Sequence, residues 1–390
     1  MSGQGYKDSS LLSRITRVMH AYDAQIAVFS LATAMEIVIG LYFNVAWEFD
    51  AATRAEQALL IAQRGPNWYF FQGFGQGYYV WLPLWQLLLA GIYFLTGVST
   101  AVIGIVISAT SLGIISAITV SALKRAGFDQ RRQFLGAALL LTSGYLVAYA
   151  SQGMTDAFST MLLFGAVYFL FVYIESQSSR FLVGASILTL LNVLTRYEAW
   201  LFLAVTMLYA FSMFVLKKMG GRTMLNIVKY AIPSALFICI WLYYNELVSG
   251  SFFGFAAWIS QSVSSSPPVF AHNPALTFVN FAEAVLLSSG LFWFALIDVR
   301  RRGTIAPMIR FAAILFVVYS VFLFYSMYVG FSNGWVRLFL YFVPFSVVAF
   351  VSKSYRHEIL YLVVGISIAL GMIGLAQNVI MHQAFLSHPP

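Results

Sequence analysis

Charge is what this chain has least of. Only 9% of its 390 residues are Asp, Glu, Lys or Arg, against roughly 25% in soluble domains. That scarcity excludes an ordinary water-soluble fold. Cysteine is nearly absent: Cys239 stands alone in an apolar run, so no disulfide framework exists. No soluble domain, internal repeat or low-complexity tract interrupts the chain. Acids are the scarcer sign, 14 against 22 Lys and Arg, for a net charge of +8. The excess is scattered between apolar runs instead of gathered in a basic patch, so it carries no nucleic-acid signal.

What remains is apolar: 61% of the chain. Apolar runs of about 20 residues recur, each long enough to cross a bilayer as a helix. The chain reads as one all-α polytopic membrane domain over 1–390. Eleven spans are expected, at 24–45, 100–123, 133–150, 157–175, 181–195, 198–216, 230–247, 276–297, 308–330, 337–352 and 358–380. Residues 1–23 form an amino-terminal cytoplasmic segment. Its apolar positions Leu11, Leu12, Ile15, Val18, Met19 and Tyr22 repeat at helical spacing, and it leads into an uncleaved first span. The run Val80–Gly97 is left outside the count. Crossing there would invert every later loop, and Pro83, Gln86 and Gly91 interrupt it. It is expected to lie along the membrane within a first external loop, 46–99. A second large external loop covers 248–275.

Drawn this way, 18 of the 22 Lys and Arg fall on the cytoplasmic side, as the positive-inside rule requires. The exceptions are Arg54, Arg64, Arg196 and Arg337. Basic residues kept against that bias point to an anionic ligand, which guanidinium groups bind in a bidentate fork. Acids accompany them: Glu48 and Asp50 after the first span, Asp156 opening the fourth, and Glu198 two residues after Arg196. Each has a plainer role available. Asp50 and Asp156 are placed to cap helices, Arg196 and Glu198 to pair with each other, and Arg337 to snorkel towards headgroups. His272, in the second loop, has no His or Cys nearby and makes a poor metal ligand. Glu36 lies inside the first span, where an acid is costly, and no partner is evident for it.

The order and spacing of these elements over about 25–345 resemble the GT-C superfamily of membrane glycosyltransferases. The resemblance is to the branch of the protein O-mannosyltransferases and the lipid A aminoarabinose transferases. The matching elements are Glu48-Phe49-Asp50 after the first span, Tyr79-Val80-Trp81-Leu82-Pro83-Leu84 in the following loop, Thr155-Asp156, Leu194-Thr195-Arg196-Tyr197-Glu198, and Arg337 with Pro344 seven residues on. The resemblance implies a GT-C-like fold and an integral membrane location, in a plasma, inner or endoplasmic reticulum membrane. It implies a polyprenyl-phosphate-linked sugar donor and a lipid, glycan or protein acceptor. It makes Asp50 the catalytic base, with Glu48 and Asp156 beside it. Arginines would hold the lipid phosphate, Arg196 and Arg337 above all, with Arg54, Arg64, Glu198, Tyr197 and His272 as further substrate contacts. No cofactor is required, and a divalent metal is optional. The protein O-mannosyltransferase branch places Asp and Glu side by side, whereas Ala51 follows Asp50 here, which leaves sugar and acceptor open. The competing functions are a transporter or lipid flippase, and a transferase of some other lipid-borne group.

Overall fold

The computed structural model describes residues 11–42, 49–72, 81–257, 271–289, 292–297, 305–330, 336–353 and 362–370, with a few single positions besides. Every regular element among them is helical. In chain order these are α1 (Leu11–Tyr42), α2 (Phe49–Arg64), a π turn (Trp68–Gln72), α3 (Leu84–Thr96), α4 (Thr100–Arg125), α5 (Gln130–Leu140), α6 (Gly144–Ser151), α7 (Thr155–Ser176), α8 (Ser179–Val193), α9 (Glu198–Val215) and α10 (Gly221–Ser249). After these come α11 (Pro274–Ser289), α12 (Trp293–Ile297), α13 (Ala306–Tyr328), a 3-10 helix (Val336–Phe342) and α14 (Val343–Val351).

Among the described residues, six helices are long and apolar enough to cross a membrane: α1 from its kink at Tyr22, α4, α7, α9, α10 and α13. A seventh crossing is formed if α5 and α6, bent by 66° at their junction, count as one. This is the pattern of an integral membrane protein. The remaining expected spans map onto shorter pieces. Over 181–195 stands α8, over 276–297 stand α11 and α12, and over 337–352 stand the 3-10 helix and α14. At 1.5 Å per residue, the 15 residues of α8 reach about 22 Å, short of a ~30 Å hydrocarbon layer. Of 358–380, only 362–370 and 372–373 are described, as helix. The 13 residues of α3 likewise reach only about 20 Å.

Close helix contact is made through small residues, as apolar surroundings favour. α1 packs along α4, and a Cβ at Gly113 would stand 2.1 Å from Thr33 Oγ1, so only glycine fits. Aromatic rings of α9, α13 and the 3-10 helix meet in the buried core, with Phe202, Tyr319, Phe339, Tyr341 and Phe342 packed edge to face or tilted. Helices α9, α10 and α13 turn large apolar side chains outward, among them Leu208, Leu236, Ile240 and Val321, as lipid-facing surfaces do.

One end of this bundle is assembled with unusual care. Helix α6 ends in the turn Gln152-Gly153-Met154. Gly153 has φ +72° and packs against Gly104, where an added Cβ would approach the α4 backbone to 3.0 Å. Ser108 Oγ donates to the Met154 carbonyl at 2.7 Å. The start of α7 is thereby fixed against α4. The Leu84 N–H donates to the Leu194 carbonyl at 3.1 Å, which ties the head of α3 to the turn carrying Arg196. Thr100 Oγ1 donates to the Ala55 carbonyl at 2.9 Å, which ties α2 to α4.

Candidate functional site

Three of the four arginines expected on the outer side meet at this end. Asp50 lies in the first turn of α2, and its Oδ2 accepts from Arg337 Nη2 at 2.6 Å. The two residues are 287 apart in sequence. One turn along α2, Arg54 is 3% exposed, with its guanidinium 4.7 Å from the centre of the Trp81 ring. Asp156, in the first turn of α7, is 1% exposed, and Arg196 Nη2 stands 3.4 Å from its Oδ1. Arg54 feels the charges of Asp50, Asp156, Arg196 and Arg337 together, so the two acids and three arginines form one electrostatic unit.

The arginines differ in how fully they are occupied. Arg196 is saturated. Its Nε donates to Tyr341 Oη at 3.1 Å, its Nη1 to Thr155 Oγ1 at 3.2 Å and its Nη2 to Glu198 Oε1 at 3.1 Å. Ser159 donates to Asn192 Oδ1 at 2.5 Å, and its Oγ stands 3.4 Å from Tyr341 Oη, which can donate to it. Burial works against the charged guanidinium of Arg196, but Asp156 and Glu198 outweigh it and hold its proton more tightly than usual. Arg54 is the opposite case. Its Nε and Nη1 find no acceptor among the described residues, and burial pushes its pKa down to about 10. It remains a cation at neutral pH, with two donors to offer an incoming anion.

Asp50 is half-buried. Desolvation alone would raise its pKa, but Arg337, then Arg54, hold it below the ordinary 3.8. It is therefore ionised at neutral pH. Both oxygens of Asp156 accept no hydrogen bond among the described residues, so its one close partner is Arg196. Neither acid has the cap geometry that its helix-opening position suggested: α2 begins at Phe49 and α7 is preceded by Met154. Arg337 pairs with Asp50 and does not simply reach for headgroups. Arg196 and Glu198 do pair, as their spacing suggested, but within a larger network.

Other expected contacts fall elsewhere. Arg64 is exposed at the far end of α2, its guanidinium 5.3 Å from the Trp68 ring. Ten residues separate it from Arg54, about 15 Å of helix. Tyr197 is partly buried and follows Arg196 directly. Its ring stacks on Phe255 at 4.1 Å, its hydroxyl accepts from Trp241 Nε1 at 3.0 Å, and burial raises its pKa. His272 sits in an exposed turn with φ +61°, its N–H donating to the Tyr328 carbonyl at 2.8 Å and its ring against Tyr328. Glu48 lies outside the described residues. Among the described residues, no three His, Cys, Asp or Glu side chains group closely enough to hold a metal ion. Thr155 and Tyr341, which hold Arg196, escape a search guided by charge. Tyr341 follows Arg337 by four residues in the 3-10 helix, about a third of a turn beyond one full turn, so spacing does not mark it either.

Neither family models nor curated proteins compared with this chain give a match.

Proposed function

We propose that this chain is a GT-C-type membrane glycosyltransferase. It moves a sugar from a polyprenyl-phosphate donor to an acceptor hydroxyl on a lipid, glycan or protein, with inversion, at the outer face of the membrane. The eleven-span path with a cytoplasmic amino terminus belongs to the same proposal, with α3 lying along the surface. The observation that carries it is the convergence of Asp50, Asp156, Arg54, Arg196 and Arg337 at one end of an apolar bundle. Buried charge in such surroundings is costly unless it serves a ligand or a partner.

The chemistry asks little more. Asp50 takes the proton of the acceptor hydroxyl. The acceptor oxygen forms its bond to the anomeric carbon as the bond from that carbon to the phosphate oxygen breaks. The electron pair leaves with the lipid phosphate. Arg337 and Arg54 grip that phosphate and stabilise the charge that builds on it. Arg196, whose three nitrogens are already engaged, orients Asp156 and adds positive field from behind. A phosphate is a weak base, so no acid catalyst is needed.

A transporter or flippase is the second reading. Glu36 favours it: this acid is fully buried in the first span, and neither of its oxygens accepts a hydrogen bond among the described residues. Incubation with radiolabelled polyprenyl-phosphate sugars separates the two. A transferase passes label to an acceptor and releases free lipid phosphate in equal amount. A carrier moves the label across the membrane with the donor intact.

A further inference from the structure

Behind Arg54 the site continues into a set of neutral polar groups that charge sorting does not reveal. Gln57 follows Arg54 by three residues and so shares its face of α2. It is 1% exposed, and Gln86 on α3 is wholly buried. One long hydrogen bond joins them, Gln86 Nε2 to Gln57 Oε1 at 3.3 Å. Gln57 Nε2 and Gln86 Oε1 are left without partners among the described residues. Turning both amides over leaves the same count, one donor and one acceptor. Next to Gln86, Trp85 is also wholly buried, and its Nε1 has no acceptor among the described residues. The Trp85 ring packs on Phe158 at 5.4 Å, two residues beyond Asp156 on α7. Arg54, with Nε and Nη1 open, stands on α2 one turn before Gln57 and feels the charge of Asp156.

The mixture of donors and acceptors identifies the ligand class. A phosphate needs donors only, and a metal or ammonium ion needs acceptors only. Here donors (Arg54 Nε and Nη1, Gln57 Nε2, Trp85 Nε1) accompany an acceptor, Gln86 Oε1. Each hydroxyl of a sugar both donates and accepts, so a neutral polyhydroxylated ring matches both halves. Aromatic rings stand beside Arg54. Trp81 covers Arg54, and Tyr69 Oη donates to the Trp81 carbonyl at 2.8 Å. Buried polar atoms without partners destabilise a fold, so this set costs stability unless a ligand completes it.

We propose that Gln57, Gln86 and Trp85 form the subsite that binds the hydroxyls of a neutral sugar ring in the donor, next to the phosphate site of Arg54 and Arg337. It rests on the glycosyl-transfer proposal and narrows it from any lipid-borne group to an uncharged sugar.

The test uses the full chain in detergent and two probes, polyprenyl phosphate and polyprenyl-phosphate hexose. Binding is followed by quenching of tryptophan fluorescence. Wild-type protein should bind the hexose-bearing lipid more tightly than the bare phosphate. Gln57→Met with Gln86→Met keeps side-chain length and removes both amides. It should weaken the hexose lipid ~10-fold or more, the loss expected for two or three hydrogen bonds, and leave the bare phosphate unchanged. Its unfolding midpoint without ligand should match or exceed wild type, since both partners of the buried pair are replaced together by apolar groups of like length. Trp85→Phe keeps the ring on Phe158, loses Nε1, and should reduce the same preference should the double variant fold poorly. Full retention of the preference in either folded variant overturns the subsite and leaves the transferase proposal standing. Wild-type protein that binds the bare phosphate alone overturns it too. Wild-type protein that binds neither lipid removes the transferase proposal and the subsite with it.

Discussion

Helix α7 carries an acid at each end, and each acid faces an arginine, yet the two pairs have little in common. At its start, Asp156 is 1% exposed and meets Arg196, which is also bound by Thr155, Glu198 and Tyr341. Some 28 Å away by helix rise, Glu175 meets Arg125 at 2.8 Å, with side chains 47% and 38% exposed. The second pair has the better distance and the lesser consequence. Solvent screens it and side-chain entropy opposes it, so exposed pairs contribute only ~0–1 kcal/mol. The first pair is shielded from solvent, where an uncompensated charge is expensive. A cavity also lies at the Glu175 end, about 300 Å³, lined by Arg125, Tyr168, Phe171, Glu175 and Met308. Its polar lining is the exposed ion pair, and it brings together no unpartnered buried donors or acceptors. The cavity and the buried acid–arginine cluster lie at opposite ends of α7.

The sharpest way to break this contrast is to remove each arginine. Arg196→Ala should destabilise the fold by about 3–5 kcal/mol, the cost of leaving buried acids without their cation, measured by thermal or denaturant unfolding in detergent. Arg196→Lys should restore only part of that, because one ammonium cannot serve Tyr341, Thr155 and Glu198 at once. An Arg196→Ala protein as stable as wild type would dissolve the contrast.

Next in size is a shift in pH dependence. Asp50 is held below its ordinary value because Arg337 and Arg54 outweigh burial. Its ionised form is therefore favoured in the folded state. The stabilisation this gives is present above the ordinary carboxylate pKa and is lost as pH falls through the depressed one. In wild type, the acid limb of kcat/KM, which reports the free enzyme, should lie below pH 3.8. In Arg337→Ala that limb should move to higher pH, since burial is then opposed by less charge. A limb that stays in place, or falls, would separate Asp50 from Arg337 in function.

The smallest effect belongs to the exposed pair. Arg125→Ala should change stability by less than ~1 kcal/mol and leave transfer within a few-fold of wild type. A large loss there would mean that exposure does not decide what an ion pair contributes in this protein.

Hydropathy made most of the bundle legible. The expected spans 100–123, 157–175 and 198–216 match α4, α7 and α9 to within two residues at each end. It failed where the chain stays apolar while the helix breaks. Residues 133–150 read as one span, but α5 and α6 bend by 66°. Thr142 and Ser143 at the break satisfy the carbonyls of Leu139 and Ser288, both at 2.8 Å, and hydropathy does not register that exchange. It failed again at α10, which starts at Gly221 instead of 230. There the polar first turns, with Arg222, Asn226 and Lys229, lower hydropathy without ending the helix.

The site was legible through topology. Arg54, Arg196 and Arg337 stand out only because a charge rule forbids them, and the rule brings together residues hundreds of positions apart. It also selects Arg64, because α2 is longer than the site it serves. The rule cannot rank the three. Arg196 and Arg337 stood out ahead of Arg54, which lies on a helix expected to lie at the surface. The fold instead saturates Arg196 and leaves Arg54 two open donors. Gln57 and Gln86 carry no charge, so nothing in the sequence marks them beyond being polar in apolar company.

Asp50 is where the account can be tested most directly. Asp50→Asn keeps the size of the side chain and an oxygen for Arg337, and removes the proton acceptor. Transfer from a polyprenyl-phosphate sugar should fall ~10²-fold or more, the usual contribution of a general base, while the yield of folded protein and donor binding stay near wild type. A folded Asp50→Asn protein that transfers sugar at near wild-type rate would show Asp50 to be only the structural partner of Arg337, and would contradict the account.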